Sequence, residues 1–237
     1  MECDLLYEDE WCFVVNKAHN VLVHHSAYAG TSDEQSLVEF WRNRFPTAVL
    51  VHRLDRKTAG IVLFAKEKEY AAPFQRLWQN EEQTRKKYLA LVRGHLNENG
   101  IVDTPVKNER GNSKEACTHY TTLLTLERPF PIVPYPSARY SIVEFELLTG
   151  RWHQLRQHAN KIAHPIIGDP KHGNRHHNHY FQEHLDEHRM FLQAHSLQFN
   201  HPFTNKEVCI QIDQLSDPFK HFLTSAEQKL LAEKRKG

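Results

Sequence analysis

An α+β fold built on a mixed, mainly antiparallel sheet is what this sequence predicts, and three observations lead there. Segments rich in β-branched and aromatic residues recur along the chain, at residues 13–15, 49–52, 61–64, 88–92, 118–126, 140–148, 191–197 and 208–212. Several follow one another through short turns with no helix-length insertion, which favours antiparallel pairing over a wound parallel sheet. The third is size and balance: 237 residues, 40% hydrophobic and 25% charged, suit one compact globular body rather than a disordered chain. No repeat, Gly/Ser linker or low-complexity tract divides residues 1–237, which read as a single domain.

Helical signals are fewer. Ser32 followed by Gln35 resembles a capping box, and Leu37, Val38, Trp41 and Phe45 then form one apolar face. A second helix covers part of 71–80, where Pro73 fits only in a first turn and Phe74, Leu77 and Trp78 face inward. A third spans 153–163, with Leu155, Ala159 and Ile162 on one side and Arg156 and Asn160 on a face offset from it; His164-Pro165 ends it. The last covers 226–236 and ends in a solvated basic tail.

The longest apolar run, 61–65, is too short to span a bilayer, and the acidic start MECDLLYEDE lacks the pattern of a secretory signal. The expected location is the cytosol, with no membrane partner. Cys3, Cys12, Cys117 and Cys209 are scattered without a C-x-x-C and read as reduced thiols. Formal charge is only +1, but between Arg151 and Tyr180 stand five Lys or Arg, seven His and one acid, Asp169. That stretch is a local cationic patch suited to an anionic partner.

Three stretches carry candidate chemistry. In VHRLDRKTAG, Asp55 stands among Arg53, Arg56 and Lys57, and a carboxylate among cations keeps the negative charge that a nucleophile or base requires. A turn aspartate in a surface ion cluster accounts for the same pattern. TGRWHQLRQHANKIAHPIIGDPKHG holds a density of donors that suits phosphate or carboxylate, or simply a solvated basic helix. KKYLALVRG places Tyr88 at the start of a strand beside lysines, as a base-stacking platform or a core tyrosine.

Taken together and in this order, these stretches resemble the RluA-type pseudouridine synthase family, whose first motif LLYEDEWCFVVNKAHNVLVHHS is also similar to. The resemblance covers residues 5–212 and implies that family's two-lobed fold, with a central catalytic cleft flanked by helices and no S4-like RNA-binding module. By matching motif it implies Asp55 as the catalytic aspartate, Tyr88 as the tyrosine stacking on the target base, and Arg156 as the basic residue that pairs with the aspartate. His52, Arg53, Arg151, His153 and Gln154, which flank these positions, are the expected substrate-binding residues. Ala59, Ala18, Asn20 and Trp152 depart from the family pattern without touching the catalytic positions.

Pseudouridine formation exchanges an N1 to C1′ bond for a C5 to C1′ bond without net redox change, so no cofactor is called for. The implied partner is RNA, tRNA in particular, and no obligatory protein partner. ACTHYTTL, PFPIVPYPSARYS, GDPKHGNRHHNHYF and MFLQAHSLQFNHPFT point to the branch acting on uridine 65 of tRNA, with rRNA or another tRNA site as the alternative. The buried uridine must be everted before it reacts, and Arg53 is expected to fill the vacated stack. Asp55 attacking C1′, adding to C6 or taking a proton from C2′ all remain open. Two rival classes are a non-catalytic RNA-binding protein and a metalloenzyme using His184 and His188 at i, i+4 with His172, His176, His177 and His179 nearby; the sequence holds no HExxH, and no metal ligands are assigned.

Overall fold

A computed structural model describes residues 3–25, 34–80 and 83–235. The chain opens with strands β1 (Cys3–Glu8) and β2 (Cys12–Lys17), then α1 (Leu37–Arg42), β3 (Val49–Leu50), β4 (Ala59–Ala65) and α2 (Lys68–Gln79). Six strands follow without a helix between them: β5 (Thr84–Arg93), β6 (Asn99–Asp103), β7 (Val106–Lys107), β8 (Ser113–Lys114), β9 (Cys117–Arg128) and β10 (Ala138–Leu147). The remainder is α3 (Gln154–Lys161), α4 (Arg175–Leu185), β11 (Leu192–Asn200), β12 (Glu207–Gln211), α5 (Asp217–Phe222) and α6 (Ser225–Lys234). Two compact units emerge, one of Met1–Arg85 with Ala194–Ile212, the other of Lys86–Gln193 with Asp213–Gly237. The predicted α+β class and antiparallel pairing are both present. Among the described residues, no helix is long and apolar enough to cross a membrane.

In the first unit the strands run β1-β2-β4-β11, with β3 paired to β4 and β12 to β11. β4, AGIVLFA, is buried along its whole length, which is why its sequence reads as an unbroken apolar run rather than an alternation. Cys12↔Ala65 through Lys17↔Gly60 set its antiparallel register with β2. The helix α2 corrects the sequence reading. It begins at Lys68, so Pro73 lies inside it rather than in its first turn. The helix forfeits one backbone hydrogen bond there and is held instead by packing, with Phe74 fully buried among Leu63, Phe199 and Ile210. The cap of α1 is also corrected. Ser36 and Glu39 form the capping box, and Ser32 lies outside the described residues.

The β1–β2 turn is closed by a polar cluster. Asp9 accepts the amides of Trp11 and Cys12, both at 2.8 Å, and the Tyr7 hydroxyl at 2.7 Å. His201, fully buried, meets the same carboxylate through Nε2 at 3.1 Å, while its Nδ1 accepts the amides of Phe203 and Thr204 at 3.2 Å. Cys12 Sγ stands 4.0 Å from that Nε2, and burial pushes the thiol well above its ordinary range.

The second unit carries the order β5-β10-β9-β6, all antiparallel, and a small β7–β8 hairpin. Leu89, Leu91, Tyr140 and Ile142 of the sheet pack with Phe181, Phe191 and Phe219 into its core. The sequence reading misses α4, because of its eleven residues only His177 and Phe181 are buried and histidines mask the period. Asn174 caps it by accepting the His177 amide at 3.2 Å. The helix ends at Leu185 with Asp186 left-handed (φ 49°), so His184 and His188 do not share a helical face. His188 bonds Asp186 instead, which removes the i, i+4 ligand pair of the metalloenzyme reading. The basic tail is not simply solvated either: Arg235 donates to the Asp213 carbonyl at 3.2 Å.

Candidate active site

Asp55 sits half-buried in the turn between β3 and β4, where the Thr58 amide donates to the Asp55 carbonyl at 3.0 Å. Leu54 and Thr58, both buried, anchor the turn on either side. Its exit is fixed by Gly60, which takes φ +112° and approaches the Ala194 backbone so closely that a Cβ would fall 2.1 Å from that carbonyl oxygen. Only glycine satisfies both conditions.

Beneath the turn lies Lys17, wholly buried, whose ammonium donates to the carbonyls of Ala18 (3.0 Å), Val21 (3.2 Å) and Arg56 (3.0 Å). Burial pushes Lys17 down to about 7, and the negative charge of Asp55 works in the opposite direction. His19 Nδ1 bonds the Lys57 carbonyl at 3.0 Å, so the end of β2 and the loop after it hold the turn at Arg56 and Lys57. Asn20, one of the departures from the family pattern, takes φ 64°, a conformation that Asn tolerates where Gly is usual. Its carbonyl accepts from Arg56 Nε at 3.0 Å, and Arg56 also pairs with Glu34 at 2.8 Å.

The two neighbours of Asp55 on the HRLD motif differ in kind. Arg53 is exposed, with no side-chain hydrogen bond among the described residues, and stays available to a ligand. His52 is buried: its Nε2 accepts the Leu63 amide at 3.1 Å and its ring stacks on Trp78 at 3.6 Å. Those contacts make His52 a support of the turn.

In the second unit, Tyr88 is buried on β5 opposite Phe145 of β10. The basic motif folds around the start of α3. His153 precedes the helix in a left-handed conformation (φ 51°) and stacks on Trp152 at 3.7 Å, with Lys171 Nζ 4.4 Å from the indole. Arg156, on the helix face offset from the apolar one, is 5% exposed. Its Nε and Nη2 each donate to Asp169 at 2.7 Å, a bidentate fork, and Nη1 donates to His153 Nε2 at 2.7 Å. Because His153 Nε2 accepts, its Nδ1 carries the hydrogen and donates to His172 Nε2 at 3.1 Å. Burial pushes Asp169 upward, yet Arg156 and the amides of His172 and Lys171 outweigh it and hold the carboxyl below its ordinary range.

Gln154, expected to bind substrate, has its amide fully engaged within the unit. It donates to the Cys117 carbonyl and Thr118 Oγ1, both at 2.9 Å, and accepts from Thr149 (2.7 Å) and the Arg151 amide (3.0 Å). Its place is to seat α3 on β9. Arg151 is exposed and donates to the Glu115 carbonyl at 3.1 Å. Sequence reasoning assigned no role to Asp169 or Lys17. The signal for Asp169 was its isolation as the one acid between Arg151 and Tyr180.

The family model described as RNA pseudouridylate synthase matches residues 12–161, which include the Asp55 turn, Tyr88 and the helix bearing Arg156. The chain belongs to this family. Pseudouridylate synthases are isomerases of RNA uridine. The chain is 34% identical to a tRNA pseudouridine synthase C of Vibrio parahaemolyticus, covering 96% of both chains. Against proteins of the same name it is 37% identical in Salmonella typhimurium, over 88% of this chain and 84% of that one. In Pasteurella multocida the identity is 36%, over 90% and 93%. Among solved structures, human RNA Pseudouridylate Synthase Domain Containing 1 superposes with TM-score 0.71 at 24% identity, covering all of this chain and 96% of that one. That likeness concerns the fold.

Proposed function

We propose that this pseudouridine synthase acts on tRNA, at uridine 65. The observation that carries the reading is the 34% identity, over nearly the full length of both proteins, to a relative named for tRNA. We assign the attacking carboxylate to Asp55, the platform for the everted base to Tyr88, and the partner of the carboxylate to Arg156. The Asp169 fork and His153 orient that guanidinium, a bidentate geometry that lysine does not reproduce. Arg53, exposed two residues before Asp55, fills the space left by the base, and Arg151 and the His153 ring border the substrate. The carboxylate either attacks C1′, adds to C6 or removes the C2′ proton; each route breaks the N1 to C1′ bond, turns the base and closes C5 to C1′ with no external electron donor.

The test is a map of pseudouridines in total tRNA and rRNA from cells with and without the gene, complemented by wild type or Asp55→Asn. Loss of the modification at position 65, restored by wild type alone, is expected. A map in which only rRNA sites change would move the substrate, and restoration by Asp55→Asn would remove the carboxylate from the chemistry.

A further inference from the structure

The second unit holds a cavity of about 620 Å³ that none of the residues assigned above lines. Arg93, Arg139, Ser137, Tyr135, His177 and Ala163 are among its walls, and no Asp or Glu is. Neither guanidinium has a side-chain hydrogen bond or ion pair among the described residues. Glu127, opposite Arg139 in the β9–β10 register, gives its carboxylate to the Ser137 hydroxyl. Two arginines facing one open cavity without acidic partners repel each other, and an anion between them relieves that repulsion.

One wall is preorganised by the sequence PFPIVPYPS between β9 and β10. Its four prolines, Pro129, Pro131, Pro134 and Pro136, restrict the backbone. Phe130 is packed against Tyr180 at 4.9 Å and Ile132 is buried in the core, so the segment is held at two points. Tyr135 is left 63% exposed at the rim of the arginine cavity. A tyrosine presented in this way is a stacking surface for a base.

Position separates the cavity from Tyr88. Arg93 is five residues beyond Tyr88 on β5, roughly 17 Å along the strand. The odd spacing turns the two side chains to opposite faces, and Arg93 falls on the face of Leu89 and Leu91, against α4. His177 at the back of the cavity bonds Tyr140 at 3.1 Å. Burial and the charge of Arg93 push this histidine down to about 4, so at neutral pH it offers a polar wall without a third positive charge.

We infer that this cavity is a second RNA-binding site, in which Arg93 and Arg139 hold a backbone phosphodiester and Tyr135 stacks on an adjoining base, from a part of the folded RNA distant from the target uridine. This rests on the tRNA reading above and adds to it a contact that a minimal stem-loop substrate lacks.

The test compares full-length tRNA with a short stem-loop carrying the target uridine, measuring dissociation constants in the Asp55→Asn background and turnover in the active enzyme. For Arg93→Gln/Arg139→Gln, tRNA binding is expected to weaken about tenfold or more near 0.1 M salt, and the slope of log K against log salt to fall by roughly 1, as one phosphate contact is lost. KM for tRNA rises, kcat is unchanged and the stem-loop is unaffected. Tyr135→Ala, on an exposed side chain, is expected to weaken tRNA binding roughly fivefold or more. Should the double variant melt early, Arg139→Gln alone, also exposed, carries the measurement, and Arg139→Lys retains the salt slope. Unchanged tRNA affinity and slope would overturn the inference, as would an equal loss on tRNA and stem-loop. Loss of inorganic phosphate binding with tRNA affinity intact would assign the cavity to free phosphate and also overturn it. A wild-type enzyme that binds tRNA but forms no pseudouridine refutes the functional reading instead, while the binding comparison still decides the site.

Discussion

At the scale of single residues, the determining fact is that the groups assigned to chemistry are held by others that are not. Asp169, 1% exposed, receives two of the Arg156 N–H groups. Breaking such a buried pair leaves an uncompensated charge, so Asp169→Asn is expected to destabilise the protein by about 3 kcal/mol in urea unfolding. It should also lower kcat at least tenfold while changing RNA affinity little; a variant with full kcat would release Arg156 from its dependence on the fork. Lys17→Met leaves the Ala18, Val21 and Arg56 carbonyls without their donor, at a cost of about 1–3 kcal/mol. The pH dependence gives a second readout. The folded value of Lys17 lies below its ordinary one, so its contribution is complete at high pH and declines as pH falls toward about 7. Stability of wild type should therefore rise between pH 7 and 10 more steeply than that of Lys17→Met. Asp55, Tyr88 and Arg156 were singled out in the sequence because each stands in a motif of distinctive residue types. Lys17 and Asp169 were not, because burial of a charge depends on neighbours far away in sequence, and one-dimensional spacing carries no trace of it.

Among the elements, strands were read well and helices less so. The strands of both units concentrate β-branched and aromatic residues, a local signal that survives whatever packs on them. α4 hides its two buried positions among polar ones, and α2 runs through Pro73 because tertiary packing of Phe74 and Leu77 outweighs a local preference. Pro73→Ala restores a backbone donor within α2 and is expected to stabilise by about 1–2 kcal/mol, provided the ring's contacts are minor; a lower melting temperature would show that the ring is itself a packing element. Gly60→Ala has the opposite outcome. The Cβ would overlap the Ala194 carbonyl and the positive φ would be strained, so loss of at least about 3 kcal/mol, or failure to fold, is expected from thermal melts.

For the molecule as a whole, a formal charge of +1 conceals an uneven distribution, and ionic strength and pH are the levers that expose it. RNA binding is expected to weaken steeply with salt despite the near-neutral total. Acid weakens the fold earlier than carboxylate titration alone implies. His177 is neutral and buried, its folded value pushed down to about 4, first by burial and then by the charges of Arg93 and His176. The unfolded histidine takes up a proton near pH 6.5, so stability is full above that value and falls as pH drops from about 6.5 toward 4. His177→Gln should flatten that limb in urea titrations at pH 7 and 4.5, and a curve parallel to wild type would assign the loss to other groups.

The carboxylate, thiol and imidazole gathered at Asp9, Cys12 and His201 form a plausible zinc ligand set by residue type. Since two main-chain amides occupy one ring nitrogen, the other must retain its hydrogen and has no lone pair to offer a cation. Retention of untagged enzyme on nickel resin would thus report outward-facing imidazoles such as His176 and His179, and stripping it with EDTA should leave the melting curve where it was.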